Sequence, residues 1–267
     1  MVIVVGMATI TIDNRTKEAV QMPKLSAENK KFGFTGETIE VKGANGEMHT
    51  LYRIRAKKDF TRVLGPDITM EVRAGDLGGF IEEERNLDFS EGSKAWVADS
   101  AQVCEKARVR DNAVVRGHVI ASGNAEISGN ADVSDDVIVQ NSAMVYEDAR
   151  LRGHVLAAGE SKIHGSTQAF DYANFHDNTE VYGHVKAYEH AGFWDYSRVS
   201  GPIEVLGHVQ IRGIVQITSE TAHMRITEGD FYFGIINSNE KLKTYLEEKE
   251  KIDWKLLHAR MQELRRF

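Results

Sequence analysis

Between Ala95 and Glu220 the chain returns to one pattern every six residues, without insertion, for 126 residues or 21 hexads. The first place of each hexad holds a small residue, as at Ala101, Ala107, Ala113 and Val119. The third is aliphatic, as at Val97, Val103, Val109, Val115, Ile127 and Val133. Places two and four are mostly polar, and places five and six carry turn residues such as Gly123-Asn124 and Gly129-Asn130. A period of six fits neither a helix nor a simple hairpin. It fits a short strand and a tight corner, three of which close one triangular coil.

Side chains alternate along a strand, so places one and three share an inward face and place two points out. Gly and Asn tolerate the positive φ that a tight corner demands. The hexads make seven coils, a prism roughly 34 Å long at about 4.8 Å per coil. The core volumes agree with this register. Phe175 and Phe193 fill third places one coil apart, and the third places before them shrink to Ala169 and Ala187. Large beside small keeps the cross-section filled.

A stacked coil exposes backbone edges at both ends, which need covers. "TIEVKGANGEMHTLYRIRA" (38–56) reads as two strands about an Asn45-Gly46 turn. Asp76-Leu77-Gly78-Gly79 lacks the spacing and the lysine of a phosphate loop and reads as a tight turn. "MRITEGDFYFGII" (224–236) reads as a hairpin, followed by one or two helices opened by an Asn237/Glu240 capping box. Trp254, Leu257, Met261 and Leu264 share one face at helical spacing, suited to packing on the prism or to a contact between subunits. The expectation is an all-β chain: an N-terminal β-rich cap over 1–94, a parallel β-helix of about seven coils over 95–220, and a C-terminal hairpin and α-helical tail over 221–267.

"LYRIRAKKDF" (51–60), "VRAGDLGGFIEEERNL" (72–87) and "KAWV" (94–97), leading into the hexads, together resemble the YdcK-like β-helix family. Its members occur in enterobacterial genomes, and similar proteins occur in phages and prophages. The resemblance spans about residues 32–220. It implies a left-handed β-helix, a hand that the period alone does not carry, since parallel crossovers ordinarily run the other way. The family bears a transferase label on account of its fold, so the resemblance implies architecture more than activity.

The formal charge of −7 sits on the repeats: residues 95–220 hold 17 acidic and 10 basic side chains, and the flanks contribute −1 and +1. Such a surface repels phosphate backbones, so direct nucleic-acid binding is not expected. Solubility accounts for the charge, and an acidic rod that mimics DNA is the sharper alternative. No apolar run reaches the length of a membrane span, so no membrane partner is expected. The opening "MVIVVGMATITIDN" lacks the flank and cleavage site of a signal peptide and reads as a strand. A single cysteine, Cys104, excludes an internal disulfide and fits the cytoplasm.

His118, His154, His190 and His208 are spaced by multiples of eighteen and stand on one edge, with Asp136 and Tyr172 between them. His190 and His208 lie one coil apart, within reach of a bridging metal. The γ-class carbonic anhydrases, also left-handed β-helices, use two histidines 36 residues apart and a third five residues later. His118 and His154 meet the first spacing, but position 159 is Gly, and after His190 position 195 is Asp. The third ligand is missing, so neither metal nor cofactor is expected. Gly-His-Val at 117–119, 153–155, 183–185 and 207–209 replaces Gly-Asn-Ala, so these histidines read first as corner residues.

Hexapeptide acyltransferases are trimers of similar prisms, with an extended loop and a catalytic histidine in the cleft between subunits. No loop leaves the prism here, so His154 or His190 would have to serve from a bare corner. The outward places say something else. Ile120, Ile138 and Leu156 occupy one face of three successive coils, the mark of a contact surface. Phe170, His176, Tyr182, Tyr188 and Trp194, with Tyr172 and Tyr196 at corners, are crowded as in interface cores and ring-stacking ligand sites. The leading expectation is a non-catalytic scaffold of phage or prophage type, self-associating as a homo-oligomer such as a trimer, with a host protein as a further partner. The acyltransferase and the DNA mimic stand as alternatives.

Overall fold

The computed structural model describes residues 22–65 and 68–248, and in it short strands begin every six residues from Trp96 to Arg198. Each pairs in parallel with the strand eighteen residues after it and, from Val114 onward, with the strand eighteen residues before it. Ile120 lies between Gln102 and Ile138, Glu126 between Arg108 and Met144, and Asp132 between Val114 and Arg150. These define the first, second and third faces of a left-handed parallel β-helix. Third-place residues line the axis without exposure, from Val97 to Ile211. Phe175 and Phe193 stack inside it at 4.8 Å and 3°, and Ala169 pairs with Ala187 beside them. The large-beside-small register is as the sequence implies.

The corners carry more chemistry than turn propensity suggests. Every fifth-place residue from Asp99 to Gly213 has a φ between 53° and 99°. Half are glycines; the rest, for which a positive φ is less natural than for glycine, are Asn141, six aspartates and three glutamates. Their benefit is a hydrogen bond. The Gly117 N–H donates to Asp99 at 3.0 Å, Gly129 to Asp111 at 3.0 Å, Gly153 to Asp135 at 3.2 Å and Gly165 to Glu147 at 2.7 Å. Backbone N–H groups at places two, four and six already donate to the next coil, as at Gln102, Cys104 and Lys106. The carboxylate therefore satisfies the corner N–H that the ladder leaves over. Acidic and glycine coils alternate: Asp99, Glu105 and Asp111 are followed by Gly117, Gly123 and Gly129, then Asp135, Asn141 and Glu147, then Gly153, Gly159 and Gly165. A Cβ on Gly159 would lie 2.6 Å from the Asp177 nitrogen, so these glycine coils approach too closely for any side chain.

The stack is longer than the hexads, with about nine turns where the period implies seven. Below, Phe80 pairs in parallel with Gln102 and Leu87 with Val109, and the short helical turn Glu84–Asn86 takes up the extra residues of that coil. Above, Met224–Ile226 runs parallel to Ile203–Val205, and Asp230–Ile236 runs parallel to Gln210–Thr218. Residues 224–236 are therefore a further coil, not a hairpin. Helix α1 (Asn239–Glu248) follows, and the Lys241 N–H donates to Ser238 Oγ at 3.2 Å. The cap is Ser238 rather than Asn237. Trp254, Leu257, Met261 and Leu264 lie outside the described residues, as does the opening segment read as a strand.

The N-terminal cap is built from β1 (Phe32–Lys42), β2 (Met48–Ala56), β3 (Phe60–Gly65), β4 (Ile68–Val72) and β5 (Leu77–Ile81). β1 and β2 form the expected antiparallel hairpin about Asn45-Gly46, with Gly46 at φ 82°. β2 also pairs with β5, which joins the cap to the first face. The turn precedes the Gly78-Gly79 pair: the Asp76 N–H donates to Arg73 O, and Arg73 N–H to the Asp76 carboxylate. Gly78 and Gly79 belong to β5, where a Cβ would meet Val97 O at 2.7 Å and Ala101 O at 2.5 Å. They let the cap close onto the prism. Inside the junction the Lys31 ammonium is fully buried, donating to Asp88 O at 2.7 Å and Ser93 Oγ at 2.9 Å.

Candidate functional site

The histidine edge lies between the third and first faces, and it is a continuous column. His118 Nδ1 is 3.5 Å from Asp136, whose other oxygen is 3.6 Å from His154 Nε2. His154 stacks on Tyr172 at 4.8 Å, Tyr172 on His190 at 5.1 Å, and His190 on His208 at 4.8 Å. The sequence spacing thus places these side chains correctly. The positive φ belongs to Gly153 and Glu189, one residue earlier, so neither histidine is held by a backbone requirement. Among the described residues no three His, Cys, Asp or Glu side chains are grouped to hold a metal ion. His190 and His208 are the two imidazoles stacked on one another in this column, with ring planes 22° apart. Asp136 faces His154 at 3.6 Å, an ion-pair distance rather than a hydrogen bond.

The aromatic residues do not form one surface. Phe170 and Tyr188 stack at 5.4 Å on the third face, and His176 and Trp194 stack at 4.2 Å on the first. Tyr182, on the second face, stacks on His164 at 5.0 Å. Adjacent rings lie within 10° of parallel, so each column consumes ring faces that a stacking ligand would need. The crowding is therefore a set of ladders along the prism, one on each of its three faces. His164 is the member that sequence reasoning missed. It lies between Tyr146 at 4.5 Å and Tyr182, with Glu147 and Glu180 each 3.5 Å from a ring nitrogen. The signal was present in the 146/164/182 spacing.

The aliphatic stripe is in register. Ile120 pairs with Ile138 and Ile138 with Leu156, and each is half-buried on the first face. Around it charge is almost absent. The second places of that face are Gln102, Ile120, Ile138, Leu156, Asn174, Gly192 and Gln210. Its fourth places are Cys104, Ser122, Gln140, Ala158, His176, Trp194 and Arg212. Burial holds the His176 imidazole below its ordinary pKa, against the pull of Asp177, and so favours its neutral form. Cys104 packs beneath Leu51 and Phe80, where burial pushes its thiol up to about 12. Trp194 Nε1 donates to Gln210 Oε1 at 2.8 Å, across the space that Gly192 leaves open. Of fourteen positions only Arg212 is charged, whereas the same positions of the second and third faces carry six charges each.

Charged groups on the third face are compensated locally. Asp132 is almost wholly buried and accepts from Arg116 and Arg152, both at 3.2 Å, while Arg62 of β3 donates to Asn112 O at 2.6 Å and Asn130 O at 3.0 Å. The β3–β4 hairpin thus lies against the lower coils of that face. Two cavities, of about 560 and 390 Å³, open beside the cap, and no residue of the histidine edge or of the aliphatic stripe lines either. No helix among the described residues is long and apolar enough to cross a membrane. No protein-family model matches the chain, and no curated protein matches its sequence.

Proposed function

We propose that this chain is a non-catalytic, protein-binding scaffold of the phage or prophage type, working in the cytoplasm and associating with copies of itself, as a trimer, through its first face. The supporting observation is the near-absence of charge on that face. Burying charge is costly, so a face with one charge in fourteen outward positions, of which Cys104 is already covered by the cap, is covered by another copy at less cost than the other two. At coil and strand spacing the face offers on the order of 600 Å² per copy, near the lower end of stable interfaces. The acidic excess of the repeats has a use inside the fold, since nine carboxylates occupy left-handed corners. That use removes the main motive for a DNA mimic.

Sedimentation of the wild type and of Ile138→Lys tests this reading. The wild type is expected to be oligomeric, and the variant to dissociate into folded monomers with the wild-type circular dichroism spectrum, because Ile138 is outward and half-buried. A monomeric wild type, or an oligomer indifferent to the lysine, sinks it. A thermal shift with an acyl-CoA that His190→Asn abolishes would transfer the site to the histidine edge.

A further inference from the structure

The C-terminal end of the prism carries a patch of exposed apolar side chains. Tyr196 and Ile214 follow one another, eighteen residues apart, along the edge between the first and second faces, and Ile214 pairs with Phe233 of the last coil. Ile235 stands beside them, paired with Gln216. These four are between 39% and 61% exposed. Single apolar residues on a surface need no explanation, but four neighbours on successive coils do.

The chain itself leads to this patch. α1 crosses the last coil with Leu242 buried, and Tyr245 stacks on Phe231 at 5.0 Å and meets Phe233 edge-on at 6.1 Å. The described part of the helix reaches Glu248, three residues beyond Tyr245, and the sequence continues for 19 residues. In their sequence Trp254, Leu257, Met261 and Leu264 recur at helical spacing. They carry six basic and three acidic side chains, a net +3, against 10 basic and 17 acidic, a net −7, on residues 95–220. Nineteen residues can span about 28 Å as a helix, more than the roughly 15 Å that three coils occupy. Length, charge and point of departure all suit the same occupant.

We propose that the patch of Tyr196, Ile214, Phe233 and Ile235 is the docking surface of the chain's own C-terminal segment, residues 249–267. Trp254, Leu257, Met261 and Leu264 supply the apolar contact, and the basic residues between them face the acidic prism. Attraction between the two charges favours encounter, and apolar burial holds the segment in place.

Limited trypsin digestion of the full chain tests this, with cleavage at Lys255, Arg260 and Arg265 followed by mass spectrometry. Docking slows these cleavages in the wild type and in a control, Val63→Asp with Ile68→Asp, which alters exposed apolar residues of the β3–β4 hairpin. Ile214→Asp with Ile235→Asp is expected to speed them by about tenfold or more, because cleavage follows the population of the open form. Leu257→Ser with Met261→Ser, which leaves the prism untouched, is expected to do the same. Equal cleavage in the wild type and both variants overturns the proposal. Protection that is lost on dilution overturns it in favour of a segment donated by a second copy.

Discussion

Glu105 holds the turn at Asn45: its Oε1 accepts the Asn45 backbone N–H at 3.1 Å. The other oxygen accepts from Ala44 at 3.1 Å and from Gly123, so one carboxylate ties the β1–β2 hairpin to an edge of the prism. Burial alone would raise its pKa, but the three N–H donors and His49 outweigh burial and hold it below the usual carboxylate range. His49 is raised in turn, first by its bond to Glu82 and then by the charges of Glu82, Glu105 and Glu47, against the opposing effect of burial.

The signs differ, and they bound a pH window. The contribution of Glu105 is present above its unfolded value of about 4.5 and is lost as pH falls through its lowered folded value. That of His49 is present below 6.5 and is lost as pH rises through its raised folded value. Denaturant melts across the pH range should show the hairpin held most firmly between these limits. Glu105→Gln should destabilise by about 1–3 kcal/mol near neutrality and flatten the acid limb. An acid limb of unchanged slope would show that the carboxylate does not tie the two parts together.

Lys31 acts in the opposite sense to His49. Burial lowers its pKa from 10.5 to about 7, despite the upward pull of Asp88. Between those two values the unfolded chain holds a proton that the folded one has released, so stability rises with pH there. Lys31→Met should abolish the rise. Melts from neutral to alkaline pH check it, and a variant that keeps the wild-type slope would place the effect elsewhere.

The glycine corners give a sharper contrast. Gly159 has φ 72° and no room for a Cβ beneath Asp177, whereas Gly92 has φ 85° and open space around it. Gly92→Ala should cost only left-handed strain, about 1–2 kcal/mol. Gly159→Ala must also move the coil above, and a loss of about 3 kcal/mol or more is expected. Equal losses in thermal melts would mean that the coils are free to spread.

The histidine column should be chemically dispensable. His154→Asn together with His190→Asn removes exposed stacks on Tyr172 and His208 but no backbone constraint. The expected cost is below about 2 kcal/mol. Elemental analysis of the purified wild type should find less than one equivalent of zinc. Stoichiometric metal that vanishes in the double variant would make the edge a site.

The repeat was legible because each inward place is read twice, once by polarity and once by volume. Phe175 and Phe193 beside Ala169 and Ala187 settle the register from letters alone. What escaped has physical causes. Met224 and Asp230 sit 21 and 20 residues beyond their partners, so the last coil breaks the six-residue count and looks like a hairpin. Gly78-Gly79 looks like a turn because close packing and turning both select glycine. Asp99 and its counterparts were hidden because the N–H they serve lies eighteen residues away, where no local turn pattern reaches. The aromatic residues look like one cluster in sequence, yet neighbours six apart stand on different faces and only neighbours eighteen apart touch.

The alternation of acidic and glycine coils has a consequence for how such a rod can change length. Deleting an acidic coil, 18 residues, would set two glycine coils against each other and leave a row of corner N–H groups without carboxylates. One acidic corner can serve another, as where the Glu189 N–H donates to Asp171 and the Asp195 N–H to Asp177. A 36-residue step preserves every such pairing. A pair of coils is therefore the step that keeps the alternation, and a single added acidic coil keeps the corner bonds without it. The relaxed order after Gly165, where Asp171 precedes Glu189 and Gly183 precedes Gly201, marks the stretch in which a single turn could be gained or lost.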